Sequence, residues 1–314
     1  MNLKSRVNKK GKRLEKECSL CIVINTLIRK YIPIVKKNIE LINEIEFPLK
    51  IDIILIIIGD NNLYGKYYLM LKNKRYKCRI TLIMVNQKIN LATGRNLGLR
   101  LCKSKFIAFI DDDILLTKNW IFNAIRTFKE NKNIVAITGN AIPRIIGARN
   151  VLDSLIKEFY WLIGCTYLDS KKGKITRLIG SNMIFRKEVL ESLGGFSQKL
   201  GFIKRGEKYI YIGGEDTEIS YRILLYNKGN IIYDKKMKAY HIIFPEKLKP
   251  LVLLRRAFWF PLSLKLVYYE LTSNCAKLPV NQFLFTYRIY IINLLKKLIF
   301  IAKNIMKKPS NICI

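Results

Sequence analysis

The sequence predicts an α/β fold, a mostly parallel sheet flanked by helices, and three observations carry that prediction. Short, continuously apolar runs such as IDIILIIIGD (51–60) have the pattern of strands buried on both faces. Stretches with helical spacing alternate with those runs, as crossovers between parallel strands require. Polar residues stand at the ends of three runs, Asn25-Thr26, Gly59-Asp60 and Asp111 to Asp113, and parallel sheets bind ligands beyond the carboxyl ends of their strands.

Residues 1–17, MNLKSRVNKKGKRLEKE, read as a solvated basic tail. No apolar run precedes Cys18, so a secretory signal peptide is not expected. LCIVIN (20–25) is the first strand, and IRKYIPIVKKNIELINEI (28–45) has helical spacing. IDIILIIIGD and CRITLIMVN (78–86) follow as strands, TGRNLGLRLCKS (93–104) as a helix and KFIAFIDDD (105–113) as another buried strand. From IVAITGNAIPR (134–144) to IIYDKKMKAYHI (231–242), strands and Gly-bearing loops surround one clear helix, GEDTEISYRILLYNKG (214–229). Acids fill its first turn and Gly229 closes it, as the helix dipole and C-cap preferences require.

After about Pro245 the chain changes character. Residues 251–271 and 282–308 are apolar, aromatic and basic, and Glu270 is the sole acid after Glu246. Such segments suit a membrane interface or packing on a core. No uncharged apolar run reaches the roughly 18–20 residues of a spanning helix. The expected division is a tail (1–17), an α/β domain (18–245) and a helical, membrane-associating extension (246–314).

The 314 residues carry 57 Lys and Arg against 23 acids, a formal charge of +34, while half are hydrophobic. That excludes a disordered basic chain and favours anionic partners such as lipid, nucleic acid or phosphorylated substrates. Seven cysteines, an odd number without framework spacing, point to a reducing, cytoplasmic setting. Cys18-Ser-Leu-Cys21 has CxxC form, but with no second pair and no nearby His it reads as buried thiols.

In so basic a chain the run Asp111-Asp112-Asp113 is conspicuous. Adjacent carboxylates raise one another's pKa unless a cation lies between them. Alternation along a strand lets Asp111 and Asp113 share a side. Hard oxygen ligands with few other donors suit Mg²⁺ or Mn²⁺, completed by substrate phosphates; a charged turn is the plain alternative. Glu215-Asp216 follow Gly213-Gly214 at a helix N-terminus, where the dipole keeps a carboxylate ionised, as a general base needs. Taken alone, this is equally an ordinary acidic N-cap. The single histidine, His241, could complete a cation's coordination beside Asp113 or be structural.

The ordered set SLCIVINTLIRK, IIIGDN, TGRNLGLRLCKSKFIAFIDDDILLTKNWI, LIGSNMIFRKEVLESLGGFSQKLG, GGEDTEISYRILLYNKG and AYHI resembles family 2 glycosyltransferases of the GT-A fold over roughly residues 18–245. The resemblance implies inverting transfer of a sugar from a nucleoside-diphosphate donor to a glycan or lipid-linked acceptor hydroxyl. Asp60 would contact the nucleobase, with Thr26 in the same pocket, Arg95 supporting the base and Asn96 shaping the loop. Asp111 and Asp112 would reach the ribose and the metal region. Asp113, with Asp111 and His241, would hold Mg²⁺ or Mn²⁺ on the leaving diphosphate. Gly180, Ser181 and Asn182, with the Gly194-Gly195 turn, would line the sugar and acceptor site. Asp216 would be the base, and Glu215 would orient a hydroxyl. The resemblance further implies a cytoplasmic protein peripheral to the inner face of the cell membrane, with no nucleic acid partner.

Two departures bear on the nucleobase: the first strand reads INTLI, with Leu27 where the family carries an aromatic residue, and Gly59 stands where the first of two acids is usual. A GT-A-like nucleotidyltransferase would also use paired carboxylates and Mg²⁺, but INTLIRKYIP lacks the Gly-rich loop of that class. A basic membrane- or nucleic-acid-binding protein without catalysis would be indifferent to loss of Asp113 or Asp216.

Overall fold

A computed structural model describes residues 19–46, 50–59, 61–87, 89–147, 160, 162–166, 173–205 and 208–274. The basic tail, Cys18, Asp60 and residues 275–314 lie outside them. One nine-stranded sheet runs β3-β2-β1-β4-β8-β6-β11-β5, with β7 (Gly173–Lys174) against β11. Its first half is parallel: β1 (Ser19–Thr26) lies between β2 (Lys50–Ile58) and β4 (Phe106–Asp111), with β3 (Arg79–Val85) outside β2. The second half is mixed. There β8 (Asn182–Arg186) runs antiparallel between β4 and β6 (Ile134–Ile145), and β6 pairs in parallel with β11 (Asn230–Ile243). The short β5 (Ile114–Leu116) returns antiparallel to β11, and β9 (Gly201–Arg205) with β10 (Lys208–Gly213) forms a separate hairpin.

The apolar runs are continuous because each strand feeds two cores. Along β2, Ile53, Leu55 and Ile57 enter one cluster while Ile54, Ile56 and Ile58 enter the other. The first cluster is covered by α1 (Ile32–Glu44), α2 (Asn61–Leu71) and α4 (Trp120–Glu130), the second by α3 (Leu91–Leu101), α5 (Lys187–Ser192) and α6 (Glu215–Leu225). Each fully buried Ile or Leu contributes about 1.5–3 kcal/mol relative to exposure. Helix α3 starts at Asn90, whose side chain accepts from Thr93 N at 2.8 Å and donates to the carbonyl of Leu200 at 2.9 Å. Its small residues then set its depth, since a Cβ on Gly98 would stand 2.4 Å from Val23 Cγ1.

The last described helix, α7 (Pro250–Asn274), packs on this body. Val267 and Leu271 are buried with Leu200 and against Tyr221 and Leu225 of α6. Of the two settings that the basic, aromatic pattern allows, this part of the extension takes core packing with its inner side. Its outer side leaves Leu251 79% and Phe258 71% exposed, with Leu254, Arg255, Lys265 and Tyr269 also in solvent. Among the described residues no helix is long and apolar enough to cross a membrane.

Candidate functional site

The strand ends meet in a cleft of about 570 Å³, within the range of small-molecule sites. Asp111 ends β4, and Asp112-Asp113 form the turn into β5. The antiparallel register sets His241 opposite Ile114, and Ile242 N donates to the Asp113 carbonyl at 2.8 Å. Pairing thereby delivers a residue from late in the chain to the acidic turn. His241 Nε2 lies 3.1 Å from Asp113 Oδ2, and Lys247 Nζ bonds the same oxygen. Asp111 and Asp113 line the cleft, while Asp112 turns to Thr26, whose hydroxyl also meets Tyr67 OH at 3.0 Å.

Charge sets the protonation. Burial alone would lower the His241 pKa, but Asp113 overrides it and pushes it up to about 10. Burial would raise Asp113, yet His241 and Lys247 hold it well below the carboxylate range. Asp112 is pushed up to about 8 by burial and then by Asp113. His241 therefore contributes stability fully present below about 6.5 and lost as pH rises through about 10, while Asp112, kept protonated by burial, lowers stability progressively from about 3.8 up to about pH 8. Both signs agree. Without added divalent cation, urea unfolding should show stability falling from pH 6 to pH 10, and Asp113→Asn should flatten the decline. A flat profile in the unsubstituted protein would reject this pairing.

Arg95, 2% exposed, is the hub of the site. Its guanidinium donates to Glu215 Oε1 at 2.8 Å and to the Gly180 carbonyl at 3.0 Å, and it lies 3.4 Å from Asp111 Oδ1. Burial lifts Glu215 above the carboxylate range despite Arg95, and its second oxygen, Oε2, has no hydrogen-bond partner. The helix bearing Glu215 and Asp216 begins at Gly214 with φ +102° after Gly213 with φ +73°, left-handed conformations that favour glycine. A Cβ on Gly214 would also stand 3.0 Å from Val267 of α7. Asp216 accepts from Gly180 N at 2.8 Å through one oxygen and from Thr217 N at 2.7 Å through the other. The Ser181 hydroxyl donates to the Gly164 carbonyl at 2.8 Å.

Asp112, Asn182, Asn96, Thr26 and the Gly194-Gly195 turn, all sequence-derived candidates, lie apart from the cleft wall. Asn182 is fully buried, accepting from Trp120 Nε1 at 2.8 Å. Asn96 exchanges two hydrogen bonds of 2.8 Å with the Phe196 backbone and so fixes the Gly194-Gly195 turn. Thr26 is fully buried behind Asp112. Conversely, the cleft includes residues that sequence reasoning did not single out: Lys247, Arg177 and the α7 side chains Arg255, Arg256, Trp259 and Phe260. Their signal was hidden, because one lysine among 57 basic residues carries no mark and RRAFWF reads equally as an interfacial helix.

The donor set fits a divalent cation in one respect. His241 Nδ1 lies 3.2 Å from the Gly164 carbonyl, so that, were a cation to replace the Nε2 proton, donation from Nδ1 would orient the ring as in carbonyl-oriented metal ligands. The second oxygen of Asp113, Oδ1, is buried without a hydrogen-bond partner. Among the described residues no three His, Cys, Asp or Glu side chains converge in ligating geometry, so most of the shell would come from substrate and water.

Known proteins resemble this chain in sequence and in fold. The chain is 26% identical over 171 residues to the glucosyl-dolichyl phosphate glucuronosyltransferase of Haloferax volcanii, covering 54% of this chain and 53% of that protein. It is 26% identical over 164 residues to the poly-beta-1,6-N-acetyl-D-glucosamine synthase of Staphylococcus epidermidis, covering 51% and 38%. It thus spans about half the length of the first relative and less of the second. S. aureus TarS 1-349, solved with UDP-GlcNAc, superposes with a TM-score of 0.54 at 12% identity, over 89% of this chain and 72% of that one. The mannosyltransferase PcManGT of Pyrobaculum calidifontis, solved with GDP-Man and Mn²⁺, superposes with a TM-score of 0.51 at 15% identity, over 93% and 88%. These likenesses identify the fold as GT-A. The glycosyl transferase family 2 profile matches residues 21–194, more than half of the sequence, and the chain belongs to that family.

Proposed function

We propose that the chain is an inverting, divalent-cation-dependent glycosyltransferase that moves a sugar from a nucleoside-diphosphate sugar to an acceptor hydroxyl. The observation that carries this reading is one cleft shared by an oxygen–nitrogen donor pair, Asp113 with His241, and a doubly amide-bonded carboxylate, Asp216. Asp113 and His241, with Asp111 beside them, would hold Mg²⁺ or Mn²⁺, which when bound neutralises charge on the leaving diphosphate. Asp216 takes the proton of the acceptor hydroxyl as its oxygen bonds to the anomeric carbon and the sugar–phosphate bond breaks. Its amide bonds from Gly180 and Thr217 hold it in place, while the unpartnered Glu215 Oε2 can accept from a substrate hydroxyl.

A lipid-linked acceptor at the inner face of the membrane is the substrate class this reading favours. The support is the H. volcanii relative, named for a dolichyl phosphate substrate, together with the exposed Leu251, Leu254 and Phe258 beside Arg255 and Lys265. Removing residues 251–314 would also strip a cleft wall, so point substitutions are the cleaner test. Leu254→Asp with Phe258→Asp should weaken co-sedimentation with anionic vesicles; unchanged sedimentation would count against the membrane face.

The test of the reaction itself is a thermal-shift screen of UDP- and GDP-sugars with and without Mn²⁺. A donor that stabilises the protein only with Mn²⁺, and no longer does so after Asp113→Ala, is the expected result. Stabilisation unaffected by Asp113→Ala would reject the metal assignment.

A further inference from the structure

The oxygen that faces His241 carries a second partner. Asp113 Oδ2 bonds Lys247 Nζ as well as lying 3.1 Å from His241 Nε2. Lys247 belongs to the 3-10 turn Pro245–Leu248 that follows β11 and leads into α7. Its side chain is only 19% exposed, lines the cleft, and has Nζ 5.4 Å from the centre of the Tyr31 ring. The ammonium thus stands where a divalent ion ligated by Asp113 and His241 would need room. A Mg²⁺-like ion demands oxygen contacts of about 2.0–2.1 Å, and two cations on one carboxylate oxygen repel. Lys247 Nζ would therefore have to leave Oδ2 for an ion to be held there, and a bound diphosphate would offer it new anionic oxygens at the same place. A lysine is suited to that exchange, being a compact charge with three rotatable donors on a flexible stem.

We propose that Lys247 binds the donor's diphosphate, leaving Asp113 for the phosphate oxygens as the divalent ion takes its position; this rests on the transferase reading above. In that role Lys247 adds a fixed positive charge to the leaving group, and it competes with the metal when no nucleotide is present. The two roles have opposite signs on substitution, which a structural clamp does not.

The experiment compares Lys247→Met, Lys247→Gln and Lys247→Arg with the unsubstituted enzyme. Mn²⁺ affinity of the protein alone is read from free Mn²⁺ by electron paramagnetic resonance. Affinity for UDP and for GDP at saturating Mn²⁺ is read by calorimetry. The uncharged variants should bind Mn²⁺ several-fold tighter and the nucleotide about 10–100-fold weaker, the range of a lost charge-assisted bond. Lys247→Arg should recover most of the nucleotide affinity. Parallel weakening of both ligands, unchanged nucleotide affinity, or failure of both uncharged variants to fold would make Lys247 a structural clamp and overturn the proposal. Should the unsubstituted enzyme bind neither nucleotide, the transferase reading falls first and this one with it.

Discussion

Asp216→Asn should lower the rate of sugar transfer by about 10²–10⁴-fold, the usual contribution of a positioned general base. Nucleotide and Mn²⁺ affinity should stay within about twofold, because Asp216, the proposed base, bonds Gly180 and Thr217 and not the Asp113–His241 pair. Both Asp216 oxygens accept backbone N–H groups, from Gly180 and Thr217. An Asn can accept only one of them, so a stability loss of about 1–3 kcal/mol should accompany the change. A melting curve separates that loss from the catalytic one. Retained transfer, or loss of nucleotide binding in a folded variant, would remove Asp216 from the role of base.

The largest stability effect should come from Arg95→Met, about 3–5 kcal/mol in urea unfolding, as expected for one partner removed from a buried ion pair. Glu215 would be left almost fully buried without its 2.8 Å partner, and the Gly180 carbonyl would lose its donor. Arg95→Lys should recover only part, since one ammonium cannot reproduce a guanidinium that reaches Glu215, Gly180 and Asp111 at once. Adding Glu215→Leu to Arg95→Met should restore a share of the loss. A loss below about 1 kcal/mol would show that the cluster is weaker than its geometry.

The parallel half of the sheet was legible because burial on both faces writes a continuous apolar run, as in Ile53 to Ile58. The mixed half was legible only in part: 134–144 and 231–242 read as strands, but their pairing did not. β8 is five residues long, and β11 carries Asp234, Lys235, Lys236 and Lys238, with a register shift between Asp234 and Lys238. No local pattern announces that β8 inserts between β4 and β6. In the site, the acids stood out because acids are scarce in this chain, and the structure gathers Asp111, Asp113, Glu215, Asp216 and His241 in one cleft. The fit of Arg95 between α3, β4 and α6 depends on packing over 120 residues of separation, which spacing cannot encode. Asp60 lies outside the described residues, so the nucleobase pocket rests on the sequence alone.

Arg95 also constrains how this site can change through descent. Because one guanidinium serves Asp111, the Gly180 carbonyl and Glu215, its loss strands the buried Glu215 and that carbonyl, and loss of Glu215 removes the closest partner of the buried guanidinium. Drift through single steps is thereby penalised, and lineages should replace positions 95 and 215 together or leave both alone. Covariation of 95 with 215 is the signature this wiring should leave in related sequences.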